Sequence, residues 1–303
     1  MSDRHVVIAG GSGFIGGALV AQLVASGYRC TVLSRSGRAV AGASGAVWDA
    51  VSADALVPLI EGAEAVVNLV GEPIVQRWNE DTKRRIVDSR VNSTRAVGEG
   101  IAKCSTPPRV WLNASGVGYY GDSGDRPLSE ASPPGTDFPG RVAQLWEGAC
   151  MEAATPQTRK VVVRIGFVLG RGGGALKPLV ALTKAFMGSA IGTGRQYVSW
   201  IHLADLARLF AFLIENDVHG PVNATAPTPV RQGELMAALR RHLGRPPVPP
   251  VPAPLFEAVS RLQGVEPELV LRGQRALPIA AQFHGFDYRF PTLDGALNDL
   301  LGE

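Results

Sequence analysis

Cysteine is scarce in this sequence, and the few cysteines form no pattern. Cys30, Cys104 and Cys150 are isolated, odd in number and not at the spacing of a metal site. We therefore expect neither a disulfide framework nor a metal centre. Isolated thiols and the lack of a recognisable signal peptide favour a reducing compartment, so we predict a cytoplasmic protein.

Excess charge of one sign and long apolar runs are also lacking. The formal net charge is +3, and the arginines are scattered rather than gathered into a stripe that could follow a phosphate backbone. The apolar stretch at the start of the chain spans about six residues, far fewer than the roughly 20 that cross a bilayer. These absences argue against nucleic-acid and membrane partners and leave a small-molecule substrate as the expected partner.

The sequence alternates between short runs rich in Val, Ile and Leu and amphipathic segments. Hydrophobic residues make up 46% of the chain and charged residues 19%, which is typical of a folded protein. The predicted strands are 5–9, 30–33, 65–70, 110–113 and 161–168, with a further strand ending at Asp49. The predicted helices are 14–25, 53–60, 80–103 and 143–153. This alternation predicts an α/β fold, a Rossmann-type doubly wound parallel sheet covered on both faces.

The longest predicted helix, 80–103, carries charges between its apolar positions. Lys83, Arg84, Asp88 and Arg90 indicate one solvent-exposed face on a helix packed against the sheet. The helix is long enough to supply a dimer contact, so a homodimer is among the expected assemblies.

The rhythm of the sequence changes after Gly170. Residues 171–202 have helical and loop character without a clean strand, and residues 242–256 contain six prolines, which favour an extended connector. We predict a coenzyme-binding domain over residues 1–170, to which 199–226 return. Residues 171–198 and 227–303 then form a smaller, mainly helical substrate-side and C-terminal region.

The segment GGSGFIG joins the first strand to the first helix. Gly10, Gly13 and Gly16 allow a tight turn, close approach of backbone amides to a phosphate, and close packing of helix on strand. The helix start adds a partial positive charge. We therefore predict a dinucleotide site here, with Phe14 and Ile15 among its contacts; the alternative is a flexible loop with spare glycines.

The residues after the second strand indicate which dinucleotide binds. An acidic residue about 20 positions beyond the glycines would bind the ribose hydroxyls of NAD, but Ser34 and Arg35 stand there, with Arg38 close by. A guanidinium can grip a 2′-phosphate that a carboxylate would repel. We therefore predict NADP(H), with Asp49 accepting from the adenine amino group. The alternative for Arg35 is a solvated surface arginine.

Further segments are similar to those of a known superfamily. GGSGFIG, VVNLVGEP and SWIHLADLARLF resemble the extended, epimerase/dehydratase branch of the short-chain dehydrogenases/reductases. Other segments resemble those of an atypical subgroup that has a characteristic C-terminal segment. They are RWNEDTKRRIVDSRVNSTRAV, ASGVGYYG, LWEGA, VVVRIGFVLGRGGGAL and LRGQRALPIAAQFHGFDYRFPTLDGALNDLL. The resemblance covers almost the whole chain. Its fourth-strand segment adds Val70 and Gly71 to the expected coenzyme contacts.

The usual catalytic pair of that superfamily is absent. Its members place a Lys four residues after a Tyr, and the cation lowers the pKa of the tyrosine that moves the substrate proton. None of the five tyrosines here is followed by a Lys at that spacing. The anion of an unperturbed Tyr costs about 4 kcal/mol at pH 7. Where the pair would lie, the sequence has Phe138, which cannot transfer a proton, and Arg141.

Four other residues are candidate catalytic groups. Ser115 follows a strand whose carboxyl end faces the expected crevice, and Tyr119 and Tyr120 come shortly after it. Glu72 follows Gly71 at the end of another strand and is a candidate base. The structural alternatives are a hydroxyl that caps the strand end, aromatic pocket walls and a loop charge.

Several polar residues have weaker signals. Arg164 needs a partner if it is buried, and we predict that it reaches the nicotinamide side of the crevice. Glu147 is more typical of a helix residue that faces partner side chains. His202 is typical of a structural hydrogen-bonding residue just before a helix. Asp205 is typical of an acidic residue in the first turn of that helix. The glycines at 172–174 either approach a second phosphate or form a hinge.

Two functions follow from these observations. The first is an NADP(H)-dependent oxidoreductase or epimerase of the extended short-chain type that acts on a small carbonyl or hydroxyl compound, with nucleotide sugars among the candidates. The second is an NADP(H)-binding sensor or interaction protein with altered catalysis, which the missing Tyr–Lys pair favours.

Overall fold

The computed structural model describes residues 4–302. Its strands are β1 (His5–Ala9), β2 (Arg29–Ser34), β3 (Ser44–Val47), β4 (Ala65–Asn68), β5 (Val110–Gly116), β6 (Pro127–Leu128), β7 (Arg159–Ile165), β8 (Phe167–Leu169), β9 (Tyr197–Val198), β10 (Trp200–His202), β11 (Gly220–Ala224), β12 (Val230–Arg231) and β13 (Arg275–Ala276). Its helices are α1 (Phe14–Ala25), α2 (Ala53–Ile60), α3 (Glu80–Lys103), α4 (Phe138–Met151), α5 (Leu176–Lys184), α6 (Leu203–Glu215), α7 (Gln232–His242), α8 (Ala253–Leu262), α9 (Glu268–Leu271), α10 (Ile279–Phe283) and α11 (Leu293–Leu301). A 3-10 turn, Val117–Tyr120, follows β5.

A seven-stranded sheet forms the centre of the fold. Its strand order is β11-β7-β5-β4-β1-β2-β3, and every pairing in it is parallel. All carboxyl ends of these strands therefore meet at one edge, and the order reverses direction beside β1. Ligands of open parallel sheets bind at that reversal point.

Helices cover both faces of the sheet, because its central strands are apolar on both sides. On one face α1 and α6 contribute Leu19, Leu23 and Phe210 to a buried cluster. On the other face α2 and α3 contribute Leu56 and Val97 to a second cluster. The predicted doubly wound parallel sheet is confirmed.

Helices α2, α3 and α4 begin directly after residues whose side chains cap them. Side chains of Ser52 and Asn79 accept backbone N–H groups at the starts of α2 and α3, and both helices have their predicted bounds. The prediction for α4 was wrong at its start, because Asp137 caps a helix that begins at Phe138 with proline in its first turn. Because Gly140 and this proline disfavour the interior of a helix, residue propensities did not indicate the first turn.

The second half of the chain departs most from prediction. The predicted strand 161–168 is interrupted at Gly166, so that β7 stays in the main sheet while β8 pairs with β10. Residues 171–202 were expected to lack strands, but β9 and β10 lie there. Both are two or three residues long, too short to show a period of two in the sequence. β11 adds a seventh strand beside β7.

A third cluster lies outside the main sheet. It joins β8 and β10 to α5, α7 and α11 through Leu169, Trp200, Met236 and Leu297. The proline-rich segment is extended between α7 and α8, and Val251 pairs with Ile191. The division into two regions at these boundaries stays a prediction.

Within residues 4–302, no helix is long and apolar enough to cross a membrane. The same residues contain no group of three or more potential metal ligands. The cysteines are free thiols, and burial raises the pKa of Cys30 to about 11 and of Cys150 to about 12. Both thiols are therefore protonated and weakly nucleophilic at neutral pH.

Candidate functional site

The turn between β1 and α1 has glycine where a side chain would collide with backbone. Gly10 has a φ of +74°, and a Cβ there would lie 3.0 Å from the carbonyl carbon of Leu69. A Cβ on Gly16 would lie 2.3 Å from the carbonyl oxygen of Gly11. The turn is thus packed tightly against the end of β4 and against itself.

The start of α1 is open. Gly13 is its N-cap, offers no side-chain hydrogen bond, and is followed by no acidic residue in the first turn. The first amides of a helix have no intrahelical partner, so those of Phe14 and Ile15 are available to an anion. Their side chains turn elsewhere: Phe14 packs against Gly173, and Ile15 packs against the core.

The loop after β2 presents two arginines. Arg35 and Arg38 are exposed, and neither forms an ion pair within the described part of the chain. The hydroxyl oxygen of Ser34 is buried and has no hydrogen-bond partner among residues 4–302. An orphaned buried hydroxyl beside unpaired guanidinium groups fits the ribose and 2′-phosphate of a dinucleotide. The open start of α1 fits the pyrophosphate of such a dinucleotide, and these residues fit its 2′-phosphate end.

Asp49 is engaged in its own turn. Its Oδ1 accepts from the N–H of Val51 at 2.9 Å and of Ser52 at 2.8 Å, at the approach to α2. These backbone hydrogen bonds hold the pKa of Asp49 below its ordinary value. These bonds already use one carboxylate oxygen of Asp49. The contact of Asp49 with adenine stays a prediction.

The segment after β4 lies between the glycine turn and α3. The N–H of Val70 donates to the Asn68 side chain at 3.2 Å. A Cβ on Gly71 would lie 3.2 Å from Cζ of Arg90. The side chain of Glu72 is partly exposed, with Oε1 3.9 Å from Nε of Arg85.

We expected Arg90 to lie on the solvent-exposed face of α3, but it does not. It is buried, with 9% of its surface exposed. It lies four residues after Ile86 and seven before Val97, which are both buried, and this spacing continues one face of a helix. That periodicity was present in the sequence and identifies Arg90 as an inward-facing charge.

A buried ionic network occupies the ends of β5 and β7. Ser115 is in register with Arg164, and its hydroxyl donates to Oε1 of Glu147 at 2.6 Å. Glu147 also accepts from Nε and Nη2 of Arg164 at 2.9 and 2.8 Å. Burial alone would lower the pKa of Arg164, but this bidentate pairing outweighs burial and raises it above its ordinary value.

This network engages three of the predicted site residues, Ser115, Arg164 and Tyr120. Nη1 of Arg164 donates to the hydroxyl of Tyr120 at 2.9 Å and to the carbonyl of Glu130 at 3.0 Å. The donors on Ser115 and on all three nitrogens of Arg164 therefore have protein partners. A contact of Arg164 with nicotinamide, or a hydrogen bond from Ser115 to substrate, would require this network to rearrange.

The two adjacent tyrosines have different environments. Tyr120 is buried and donates to Oδ1 of Asn223 at 2.7 Å, and burial raises its pKa to about 12, so its anion is unavailable at neutral pH. Tyr119 is half-buried, with its ring centroid 3.5 Å from Cζ of Arg164. Within residues 4–302 its hydroxyl has no hydrogen-bond partner, so its donor and acceptor are not used by the described part of the protein.

A small pocket opens beside the first turn of α4. Its volume is about 380 Å³, and its lining includes Trp78, Asp137, Phe138, Glu268 and Arg272. The rings of Trp78 and Phe138 meet edge to face, with centroids 4.8 Å apart. The pocket therefore combines apolar ring surface with charges from the C-terminal segment. A larger depression of about 780 Å³ lies at the opposite edge of the sheet, away from the glycine turn.

The remaining polar residues of the sequence analysis have structural contacts. His202 caps α6, since its Nδ1 accepts from the N–H of Ala204 at 3.0 Å. Burial lowers the pKa of His202. Asp205 is fully buried and accepts from the N–H groups of Arg289 and Phe290 at 3.0 and 2.8 Å, which fastens the C-terminal segment to α6.

Two of the glycines at 172–174 pack against Phe14, the first residue of α1. A Cβ on Gly173 would lie 2.5 Å from Cδ2 of Phe14, and one on Gly174 would lie 2.6 Å from its Cε1. Gly170 is equally close to the same ring, at 2.7 Å from Cζ. These contacts give Gly173 and Gly174 a packing role. Gly172 has open space where a Cβ would lie and a φ of +74°, so a phosphate or hinge role for it stays a prediction.

Known proteins are similar to this chain over its whole length. The profile of the NAD dependent epimerase/dehydratase family matches residues 6–225, and that of a domain of unknown function, DUF1731, matches residues 251–300. Epimerase family protein SDR39U1 of Homo sapiens is 36% identical over 302 residues, which covers 98% of this chain and 99% of the human protein. Its chloroplastic homolog in Arabidopsis thaliana is 35% identical over 311 residues, which covers 99% of this chain and 87% of the plant protein.

A solved structure is similar to the same extent. The crystal structure of human SDR39U1 (isoform 2) with NADPH has a TM-score of 0.87 and 34% identity, covering 98% of this chain and 99% of that one. The predicted resemblance, including the characteristic C-terminal segment, is confirmed. NADPH in the human structure is the type of coenzyme that the arginines after β2 predict here.

Proposed function

Because this chain belongs to the NAD dependent epimerase/dehydratase family, we propose that it binds NADP(H) across the carboxyl edge of its sheet. The observation that carries the proposal is the open start of α1 together with the unpaired Arg35 and Arg38. The amides of the first turn of α1 would bind the pyrophosphate, and the arginines would bind the 2′-phosphate. The orphaned Ser34 hydroxyl would contact the adenosine ribose.

Replacing Arg35 by glutamine tests the choice of coenzyme. We expect NADPH to bind about 10- to 100-fold more weakly, because charge-assisted hydrogen bonds contribute roughly 1.5–3 kcal/mol. The affinity for NADH, which lacks the 2′-phosphate, should stay the same. Titration of both coenzymes by fluorescence measures this.

The matched control is Arg95→Gln, which removes the same charge from an exposed position on α3. It should leave both affinities unchanged. Equal affinity of the unmodified protein for NADPH and NADH would refute the role of Arg35.

We further propose that the chain is an oxidoreductase or epimerase acting on a small carbonyl or hydroxyl compound, with nucleotide sugars as candidates. The bound nicotinamide would accept or donate hydride. Tyr119, whose hydroxyl has no hydrogen-bond partner among the residues that the structure describes, is the proposed acid or base, and Glu72 is a second candidate. Ser115 and Tyr120 are engaged in the buried network, so we assign them the positioning of Tyr119 through Arg164.

Tyr119→Phe tests this chemistry. Loss of a general acid or base lowers kcat by about 10²–10⁴-fold, whereas the affinity for NADPH should not change. The measurement is NADPH oxidation, or NADP⁺ reduction, across a panel of carbonyls, alcohols and nucleotide sugars. Tyr28→Phe, at the opposite end of β1, is the control that should retain turnover. NADPH binding without any turnover across the panel would contradict the enzyme proposal.

An NADP(H)-binding sensor is the second candidate function. The commitment of Ser115 to Glu147 favours it, because a hydroxyl bonded at 2.6 Å to a buried carboxylate is not free for catalysis. For a sensor, NADP⁺ and NADPH would alter association with a protein partner, and Tyr119→Phe would leave the cellular role intact. An impaired role in that variant would favour the enzyme.

Several coarser proposals accompany these. We propose that residues 1–170 and 199–226 hold the coenzyme and that residues 171–198 and 227–303 hold the substrate. The partner is a small molecule rather than nucleic acid, and α3 is the proposed dimer contact. A reducing compartment such as the cytoplasm fits the free buried thiols.

A further inference from the structure

The pocket beside the first turn of α4 lies at the carboxyl edge of the main sheet. Trp78 comes from the segment that follows β4, and Phe138 is the first residue of α4, which follows β5. The 3-10 turn that carries Tyr119 adjoins α4, since a Cβ on Gly118 would lie 3.1 Å from Cβ of Pro139. The first turn of α4 thus joins the pocket to the turn of the proposed acid or base.

The sheet order places this pocket on the side expected for the nicotinamide. The arginines that fit the 2′-phosphate follow β2, whereas β4 and β5 lie on the other side of β1. A dinucleotide whose pyrophosphate lies at the start of α1 extends its second half over β4 and β5. A substrate in the pocket would therefore lie toward the reactive end of the coenzyme.

Two aromatic rings form the apolar part of the pocket. The indole N–H of Trp78 donates to the carbonyl of Ile74 at 3.0 Å, so its polar atom already has a partner. The rings of Trp78 and Phe138 are partly buried and meet edge to face. The ring surface that stays accessible fits an aromatic or other apolar group of a ligand.

Both cations of the pocket lining already have carboxylate partners. Nζ of Lys83 lies 3.1 Å from Oε1 of Glu80. Nη1 of Arg272 lies 3.4 Å from Oδ2 of Asp137, and its Nη2 lies 3.3 Å from Oε1 of Glu268. An anionic ligand would therefore have to compete with these protein carboxylates for the two cations.

Carboxylates also outnumber cations in the lining. Three carboxylates, on Asp137, Glu266 and Glu268, face the two cations of Lys83 and Arg272, which leaves an excess of one negative charge. Glu266 forms no ion pair with any residue that the structure describes. Because like charges placed together disfavour binding, the pocket is unfavourable for a carboxylate or for the pyrophosphate of a nucleotide sugar.

The size of the pocket favours the same class of ligand. Its volume of about 380 Å³ is near the lower end of the roughly 300–1,000 Å³ that is usual for ligand pockets. A compact ring compound suits this volume better than a nucleotide sugar, which carries a base, a ribose, a pyrophosphate and a sugar.

We propose that this pocket is the substrate site and that its substrate is a small uncharged carbonyl or hydroxyl compound with an aromatic or other apolar ring, rather than a nucleotide sugar. This inference rests on the proposed enzyme function and names its substrate class. Trp78 and Phe138 contact the apolar face of the substrate, and Glu266 discriminates against anionic compounds.

The test uses two aldehydes that differ by one charge. The uncharged probe is 2-naphthaldehyde, its anionic counterpart is 6-formyl-2-naphthoate, and UDP-glucose represents the nucleotide sugars. Titrations followed by ligand-observed NMR, with and without NADP⁺, give the dissociation constants. We expect 2-naphthaldehyde to bind at least tenfold more tightly than the other two compounds, because only it avoids bringing a negative charge to the pocket.

Two variants connect this preference to the pocket. Phe138→Leu keeps an apolar side chain but loses the ring, and it should weaken 2-naphthaldehyde by about two- to tenfold. Its matched control is Phe283→Leu on α10, where the ring is 84% exposed and outside the pocket, and this variant should bind as the unmodified protein does. Glu266→Gln should strengthen binding of 6-formyl-2-naphthoate by about threefold or more and leave 2-naphthaldehyde unchanged. Trp78→Leu replaces Phe138→Leu if that variant does not fold.

The outcomes separate this proposal from the proposed coenzyme function. Tighter binding of UDP-glucose than of 2-naphthaldehyde, equal binding of the two aldehydes, or equal effects of Phe138→Leu and Phe283→Leu would overturn the substrate class. A protein that binds NADPH but none of the three probes would also overturn it and would leave the coenzyme function intact. A protein that binds 2-naphthaldehyde as expected but not NADPH would refute the coenzyme function, while the preference of the pocket for uncharged compounds would stand.

Discussion

Replacing Gly16 by alanine is expected to weaken coenzyme binding by a large factor. The added Cβ would lie 2.3 Å from the carbonyl oxygen and 2.4 Å from the Cα of Gly11, so the backbone of the turn must move. Such a shift displaces the amides at the start of α1, and losing two phosphate contacts would weaken NADPH binding by ~100-fold or more. The same overpacking should lower the free energy of unfolding by about 1–3 kcal/mol.

Gly17 offers a closely matched control for this experiment. It is the next residue of α1, but a Cβ there would meet no atom within 4 Å. Gly17→Ala should therefore leave NADPH affinity unchanged and should stabilise the helix, since alanine is favoured over glycine in a helix by about 1 kcal/mol. Urea denaturation and NADPH titration of both variants measure the two effects. Equal behaviour of the two variants would show that the close contact does not constrain the turn.

Replacing Glu147 by glutamine is expected to cause the largest loss of stability. It leaves Arg164 charged, buried and without its counter-ion, and it also weakens the bond that Ser115 donates. Breaking a buried ion pair by removing one partner lowers the free energy of unfolding by about 3–5 kcal/mol. Since domains of this kind are stable by roughly 5–15 kcal/mol, much of the protein's stability depends on this pair. Urea denaturation at low temperature measures the loss.

An exposed ion pair serves as the comparison. Lys103 and Asp54 join α3 to α2 with 2.7 Å between Nζ and Oδ1, but the Asp54 side chain is 86% exposed. Asp54→Asn should change stability by no more than about 1 kcal/mol. A loss on Glu147→Gln as small as that on Asp54→Asn would mean that the buried network adds little to the fold.

The sequence predicted the elements whose signals are local. Helices α2 and α3 have clear caps at Ser52 and Asn79 and a regular apolar period, so their bounds were predictable. β11 has the sequence GPVNA, in which glycine, proline and asparagine all disfavour a strand. It is a strand because it lies beside β7, and this tertiary pairing has no local signature.

The candidate site shows the same division. The glycine turn and the arginines after β2 are contiguous motifs, and their chemistry could be inferred from residue type and spacing. The network of Ser115, Glu147, Arg164 and Asn223 joins residues over 100 positions apart through several elements. No spacing in the sequence indicates that Ser115, which we predicted to contact substrate, instead donates a hydrogen bond to the Glu147 carboxylate on α4.

The enclosure of Phe14 has a consequence for sequence variation. Its ring occupies the volume that side chains at 170, 173 and 174 would need. At 173 the three nearest atoms all belong to this ring, whereas a Cβ on Gly170 would also lie 2.9 Å from Leu203 and Gly174 has a φ of +60° that disfavours any side chain. A larger residue at 173 is therefore compatible with the fold only when position 14 becomes smaller. The residue identities at positions 14 and 173 should therefore change together among homologues, because their shared constraint is steric.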